Sequence, residues 1–95
     1  MASKTINTTV TADGNTLVPD WNGHIGAFLA AGTFDGATVK LQQKIGSTWV
    51  DLGSDTTLTA DGGGQFITPQ NELRVNTSSA GASTSITIIV KPLVV

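Results

Sequence analysis

Residues 32–52 read GTFDGATVKLQQKIGSTWVDL, and two turn signals divide the stretch into strand-like runs. Asp35-Gly36 is a tight-turn pair, because glycine takes a positive φ without steric cost, and Gly46-Ser47 repeats the signal. Between the two turns Ala37, Val39, Leu41, Gln43 and Ile45 alternate with Thr38, Lys40, Gln42 and Lys44. A period of two with one polar side marks a strand with one wet face. Residues 48–52 continue the pattern, with Trp49 and Asp51 opposing Val50 and Leu52. Upstream, residues 25–34 are apolar or small on both alternating sets: Ile25, Ala27, Leu29 and Ala31 on one side, Gly26, Phe28, Ala30 and Phe34 on the other. Such a run predicts a strand covered on both faces, with a short buried helix as the competing reading because Ala and Leu favour helices. The whole stretch then reads as a three-stranded antiparallel meander, with Asp35-Gly36 and Gly46-Ser47 as its hairpin turns.

Working outward, residues 5–12 alternate with Ile6, Thr8 and Val10 on one side and stop at the turn Asp13-Gly14-Asn15. Residues 16–18 continue as a short strand ended by Pro19, which has no ladder donor, and the polar run Asp20-Trp21-Asn22-Gly23 follows as an edge or loop. Past Leu52, residues 57–60 form a short strand candidate before Asp61-Gly62-Gly63-Gly64, expected as a hairpin or mobile loop and the most flexible point of the chain. Residues 65–68 and 71–77 read as further strands separated by Pro69. A Ser/Ala/Gly/Thr loop at 78–83 precedes residues 85–90, where Ile86, Ile88 and Val90 share a face. Seven to eight short strands with turns at short intervals predict an all-β fold, a small antiparallel β-sandwich or jelly-roll-like barrel. A single domain over 1–95 is expected, with residues 1–4 and 91–95 as tails.

Composition bounds the function classes. The 95 residues are 39% hydrophobic, enough for one thin core. No cysteine is present, so stability must come from packing or oligomerisation rather than disulfides. A formal net charge of -2 with 13% charged residues offers no basic stripe, so neither nucleic acid nor a membrane surface is expected as a partner. The segment MASKTINTTV lacks the apolar core of a signal peptide, and no run approaches the roughly 20 apolar residues of a membrane span, so synthesis as a soluble cytosolic protein is expected.

No constellation for catalysis is legible. A hydrolytic triad needs a convergent nucleophile, base and acid, and the single histidine, His24, sits in a Trp-Asn-Gly-His turn where a surface role is the ordinary one. Asp13, Asp20, Asp35, Asp51, Asp55 and Asp61 fall in separate turns without calcium-loop spacing and are accounted for by turn chemistry. The run 61–64 lacks the Lys-Ser/Thr of a phosphate loop. No enzyme activity, cofactor or metal is therefore expected. Asn7-Thr8-Thr9 and Asn76-Thr77-Ser78 match the glycosylation acceptor pattern, but chance accounts for such matches in a chain this rich in threonine. Trp49, in mid-strand, is expected in the core. Trp21 and His24, in a loop beside Pro19, are the candidate interface residues, together with the apolar tail Leu93, Val94 and Val95.

Three segments carry a family resemblance. Gly32-Thr33-Phe34-Asp35-Gly36-Ala37-Thr38-Val39-Lys40-Leu41-Gln42, then Gly46-Ser47-Thr48-Trp49-Val50-Asp51-Leu52, then Glu72-Leu73-Arg74-Val75 before a small-residue turn and a final Ile/Val strand, resemble small β-sandwich virion proteins of tailed bacteriophages over residues 25–92. The turn between Ile45 and Thr48 is shorter than the Asp-Gly-Gly insertions of that group. The resemblance implies a non-enzymatic capsid decoration, or cement, protein. Such a protein is made in the host cytoplasm, works as a homotrimer and binds the major capsid protein on the outer capsid surface of the virion. The alternative it implies is a receptor- or glycan-binding module of a head or tail fibre, using Trp21, His24 and residues 61–64.

Overall fold

The computed structural model describes residues 5–19, 21 and 23–93, with the side chain of His24 outside that set. Among the described residues there are nine strands, β1 (Ile6–Val10), β2 (Gly14–Val18), β3 (His24–Thr33), β4 (Thr38–Ile45), β5 (Thr48–Asp51), β6 (Thr57–Leu58), β7 (Gly62–Thr68), β8 (Leu73–Ser78) and β9 (Ser85–Pro92), with one 3₁₀ turn at Ser54–Thr56. They form two antiparallel sheets, a front sheet in the order β1-β9-β3-β7 and a back sheet in the order β2-β8-β4-β5, with the two-residue β6 alongside β4. The fold is a small β-sandwich.

The deciding stretch divides between the sheets. Gly46-Ser47 closes a hairpin, with Ile45 opposite Thr48 and Gln42 opposite Asp51. Asp35-Gly36 does not: β3 lies in the front sheet and β4 in the back one. The pair instead turns the chain across the core, with positive φ of 48° at Asp35 and 87° at Gly36 and the Ala37 N–H donating to the Phe34 carbonyl at 2.9 Å. Phe34 and Ala37 flank the corner and are both buried, so the strands face each other across the interior rather than lying side by side. The loop before β9 holds this corner: the Thr84 hydroxyl donates to the Phe34 carbonyl, and the Asp35 carboxylate accepts the Ser83 N–H, both at 2.9 Å.

The core is the set of inward positions of both sheets. Phe28, Ile86, Ile88 and Val90 from the front meet Val39, Leu41, Leu73 and Val75 from the back, and all eight are fully buried. One polar atom spoils this layer: the Thr77 hydroxyl is buried without a hydrogen-bond partner. An unpaired buried hydroxyl carries its desolvation penalty uncompensated. Thr77→Val is therefore expected to stabilise the protein by about 1 kcal/mol, read as a rise in the urea midpoint at constant m-value.

Three expectations are corrected here. β3 is covered on one face only, because a single layer packs on the front sheet: Phe28 and Ala30 are buried, while Leu29 on the other face is 45% exposed. Residues 62–64 are not a free loop, since Gly62, Gly63 and Gly64 pair with Ala30, Leu29 and Phe28. The 3₁₀ turn lies against β7 there, and a Cβ on Gly64 would collide with the Asp55 carbonyl, so the glycine serves close approach rather than flexibility. The C-terminal tail does not begin at residue 91, because Lys91 and Pro92 pair with Ala27 and Gly26, and the Leu93 N–H reaches the Ile25 carbonyl at 3.0 Å. By the alternation of antiparallel bonding, the nitrogen of Pro92 faces away from β3, so no ladder bond to that strand is lost.

Candidate interaction surface

The residues singled out from sequence fall at one end of the front sheet. Trp21 is not an exposed loop aromatic: it is 3% exposed and belongs to the core. Its ring lies 5.1 Å from that of Phe66, and its indole N–H donates to the Thr68 hydroxyl at 2.9 Å. The physical reason is the absence of a side chain at Gly26, whose Cβ would meet both rings. His24 begins β3 opposite Thr68, and Leu93 stands beside Ile25 with 39% exposure. The strands thus bring Trp21, the backbone of His24 and Leu93 close together, with Trp21 inside and Leu93 outside. Val94 and Val95 lie outside the described residues.

Trp49 is also corrected. It sits half-buried on the outer side of the back sheet, opposite Lys44, with the Arg74 guanidinium 4.4 Å above its ring centroid. The Arg74 Nε–H donates to Gln42 Oε1 at 2.7 Å, and Gln42 Nε2 donates to Asp51 Oδ1 at 2.7 Å. Lys40 Nζ lies 3.4 Å from Asp51 Oδ2, and Lys44 lies 3.3 Å from Glu72. Asn76 and Asn15 extend this polar layer toward β2. Three of the four described cations, Lys40, Lys44 and Arg74, therefore lie on this one face, with carboxylates among them.

The Gln42 amide, and after it Lys40, hold the Asp51 carboxyl below the usual carboxylate range against a smaller opposing effect of burial. A depressed carboxyl adds stability that is complete above its unfolded pKa, about 4, and is lost as pH falls through the folded value. Asp51→Asn is accordingly expected to flatten the fall of stability below about pH 4. The effect is small because the side chain is half exposed to screening solvent. Urea melts at pH 7 and pH 3 check the sign.

The outer side of the front sheet is of the opposite character. Leu93, Ile25 and Ile67 form one row across β9, β3 and β7, and Ile67 is 78% exposed. Ile89, Leu29 and Gly63 form a second row four residues further along the strands. Lys91 stands between the rows, and it is the only described cation on this side. Among the described residues no group of three or more His, Cys, Asp or Glu side chains converges to hold a metal, and no helix is long and apolar enough to cross a membrane.

No protein-family model, curated protein or solved structure matches the chain. The two-faced surface is thus the functional evidence the molecule offers. The sequence signal for it is the apolar set Ile25, Ala27, Leu29 and Ala31, which on periodicity alone predicts a second buried face. It is an exposed face of the front sheet.

Proposed function

We propose that this protein is a non-enzymatic structural component of a larger particle, a decoration protein of a tailed-phage capsid that binds the major capsid protein on the outside of the shell. The observation that carries the reading is the contrast between its two outer faces. The back face is for the most part a hydrogen-bonded polar layer, with Gln42, Arg74, Asp51 and Lys40 joined side chain to side chain and a single exposed leucine, Leu17, beside Arg74 on its β2 edge. The front face exposes aliphatic side chains in register across three strands, with Leu29, Ile67 and Leu93 at 45%, 78% and 39%. A patch of this kind on a small domain is characteristic of surfaces that become covered in an assembly. The resemblance of residues 25–92 to small β-sandwich virion proteins is what favours a phage capsid as that assembly. Many weak contacts made by many copies would then resist internal pressure, because detaching one capsomer breaks several together. The fibre-borne, receptor- or glycan-binding alternative loses one of its contacts, since Trp21 is buried.

The test is quantitative mass spectrometry of purified particles, joined to co-sedimentation of the purified protein with undecorated shells. About one copy per shell subunit, with saturable co-sedimentation, is the expected result. A handful of copies per particle would point to a fibre or tail component. Absence from particles together with no sedimentation would overturn the reading.

A further inference from the structure

We infer that the free edge of β7 takes an extended segment of another protein as a fifth strand of the front sheet, with an aliphatic side chain in the cleft between β7 and residues 52–56 and a Lys or Arg on Asp55. This holds whatever contacts the apolar outer face makes.

Ladder geometry shows which main-chain groups the edge offers. The Leu93 N–H donates to the carbonyl of its direct partner Ile25, so Ile25 and, by alternation, Ala27 and Leu29 turn their N–H and C=O toward β9. Gly26 and Phe28 between them turn theirs toward β7, where they meet Phe66 and Gly64. Gly63, Gln65 and Ile67 therefore direct N–H and C=O away from β3, and β7 is the last strand of its sheet. Among the described residues these groups have no main-chain partner, and Gln65 and Ile67 are exposed. A further strand satisfies such a row, and Gly62–Thr68 carries neither a charge nor a proline to discourage one.

The surroundings of the edge set what that strand carries. Phe66 faces the core side, so a residue paired opposite it turns its side chain the same way, into the cleft lined by Phe66, Leu52 and Thr56. Phe66 and Thr56 are buried and Leu52 is half-buried, which suits a short aliphatic side chain such as valine. Two residues along, the position opposite Gly64 also faces the core side, where Asp55 lies against that glycine. The Asp55 side chain is exposed and lines the same cleft. It has no ion-pair partner among the described residues, where Lys40 and Lys44 are taken by Asp51 and Glu72. A lysine or arginine opposite Gly64 supplies the missing charge. The residues opposite Gln65 and Ile67 come out on the front face, where threonine suits both strand geometry and water.

In antiparallel pairing Gln65 and Ile67 would each exchange both ladder bonds with the new strand. One small apolar side chain and one exposed charge pair add to these, so the contact is weak and reversible, and it strengthens where many copies are held together.

The probe is the capped peptide Thr-Thr-Val-Thr-Lys-Thr, whose antiparallel register sets Val opposite Phe66 and Lys opposite Gly64. It is titrated into the isotope-labelled full chain and followed by NMR. Saturable shifts and slowed hydrogen exchange are expected at the amides of Gln65 and Ile67, and not at Asn7 and Thr9 of β1. Gln65→Pro removes an outward N–H without touching the ladder to β3, so the unfolding curve should be kept while affinity falls about tenfold, the size of one lost hydrogen bond. Gln65→Thr, which keeps the N–H, should bind as wild type. Asp55→Lys should transfer the preference to the same peptide with Glu in place of Lys. A peptide N-methylated at the residues opposite Gln65 and Ile67 should not bind, a control that leaves the protein unaltered. Absence of saturable binding, shifts confined to β1 or to the outer face, or undiminished binding of the N-methylated peptide would overturn the inference. Self-association of the chain alone that Gln65→Pro abolishes would give the edge to a second copy and overturn it equally.

Discussion

Trp21→Ala should lower the unfolding free energy by about 3–5 kcal/mol, the range for removing a large buried aromatic. Three losses combine. The ring leaves a void beside Phe66 and opposite Gly26, where no side chain can fill it. The Thr68 hydroxyl, on a residue only 5% exposed, loses the indole N–H that satisfies it. The strap entering β3 loses its anchor on β7. A domain of this size has about 5–15 kcal/mol in total, so the variant should sit close to its unfolding transition at 37 °C. Urea melts monitored by far-UV circular dichroism measure this. Trp49→Ala is the internal control, because that indole is half-buried under Arg74 on the outer face, where such a contact contributes about 0.5–1 kcal/mol. Equal effects of the two substitutions would show that Trp21 is not the inside residue of the pair.

The second large effect is expected at Gly64. Gly64→Val should destabilise by about 1–3 kcal/mol, the usual scale for forcing a side chain into packed space. The obstacle is main chain: the new Cβ meets the carbonyl of Asp55, which cannot rotate out of the way as a long side chain would. Either the 3₁₀ turn at Ser54–Thr56 lifts from β7 or β7 parts from β3. Hydrogen exchange distinguishes the two, since detachment of the turn leaves the amides of β3 protected. Gly46→Ala, at a turn where an added Cβ meets nothing within 4 Å, is strained only by its φ of 62° and should cost about 1 kcal/mol or less. A Gly64→Val protein as stable as wild type would return residues 62–64 to the flexible loop expected from composition.

These two positions show where sequence reading succeeds and where it stops. The run of β4 was legible because alternation of Val39 and Leu41 with Lys40 and Lys44 follows from strand geometry alone, and the Gly46-Ser47 hairpin because its partners are adjacent in the chain. The same local logic placed Ile86, Ile88 and Val90 on one face, and all three are fully buried. It failed for glycines that make room for a neighbour far away in sequence. Gly26 reads as a gap in an apolar run until Trp21 and Phe66 are seen to occupy it, and Gly64 reads as flexibility until Asp55 is seen against it. It failed at Asp35-Gly36 because a turn within a sheet and a turn between sheets use the same residues.

The exposed apolar face was half legible in the same sense. Leu93 was singled out from its place in an apolar terminus and does lie on the exposed outer side of the front sheet, whereas Ile25, Leu29 and Ile67 were passed over because each looks like a core residue in its own segment. Whether an aliphatic set faces the interior or the outside is not a property of one strand.

From its sequence by itself this chain is committed to short antiparallel strands, to tight turns at its glycine pairs, and to a core of alternating Val, Ile, Leu and Phe, because each of these depends on φ/ψ preference and on a period of two along a single segment. The tertiary structure alone decided which sheet each strand joined, that Trp21 lies inside and Trp49 outside, and that an apolar face remains uncovered on the front sheet. Those outcomes depend on contacts between residues distant in the chain, where the space left by one side chain is set by another, and no single segment contains both.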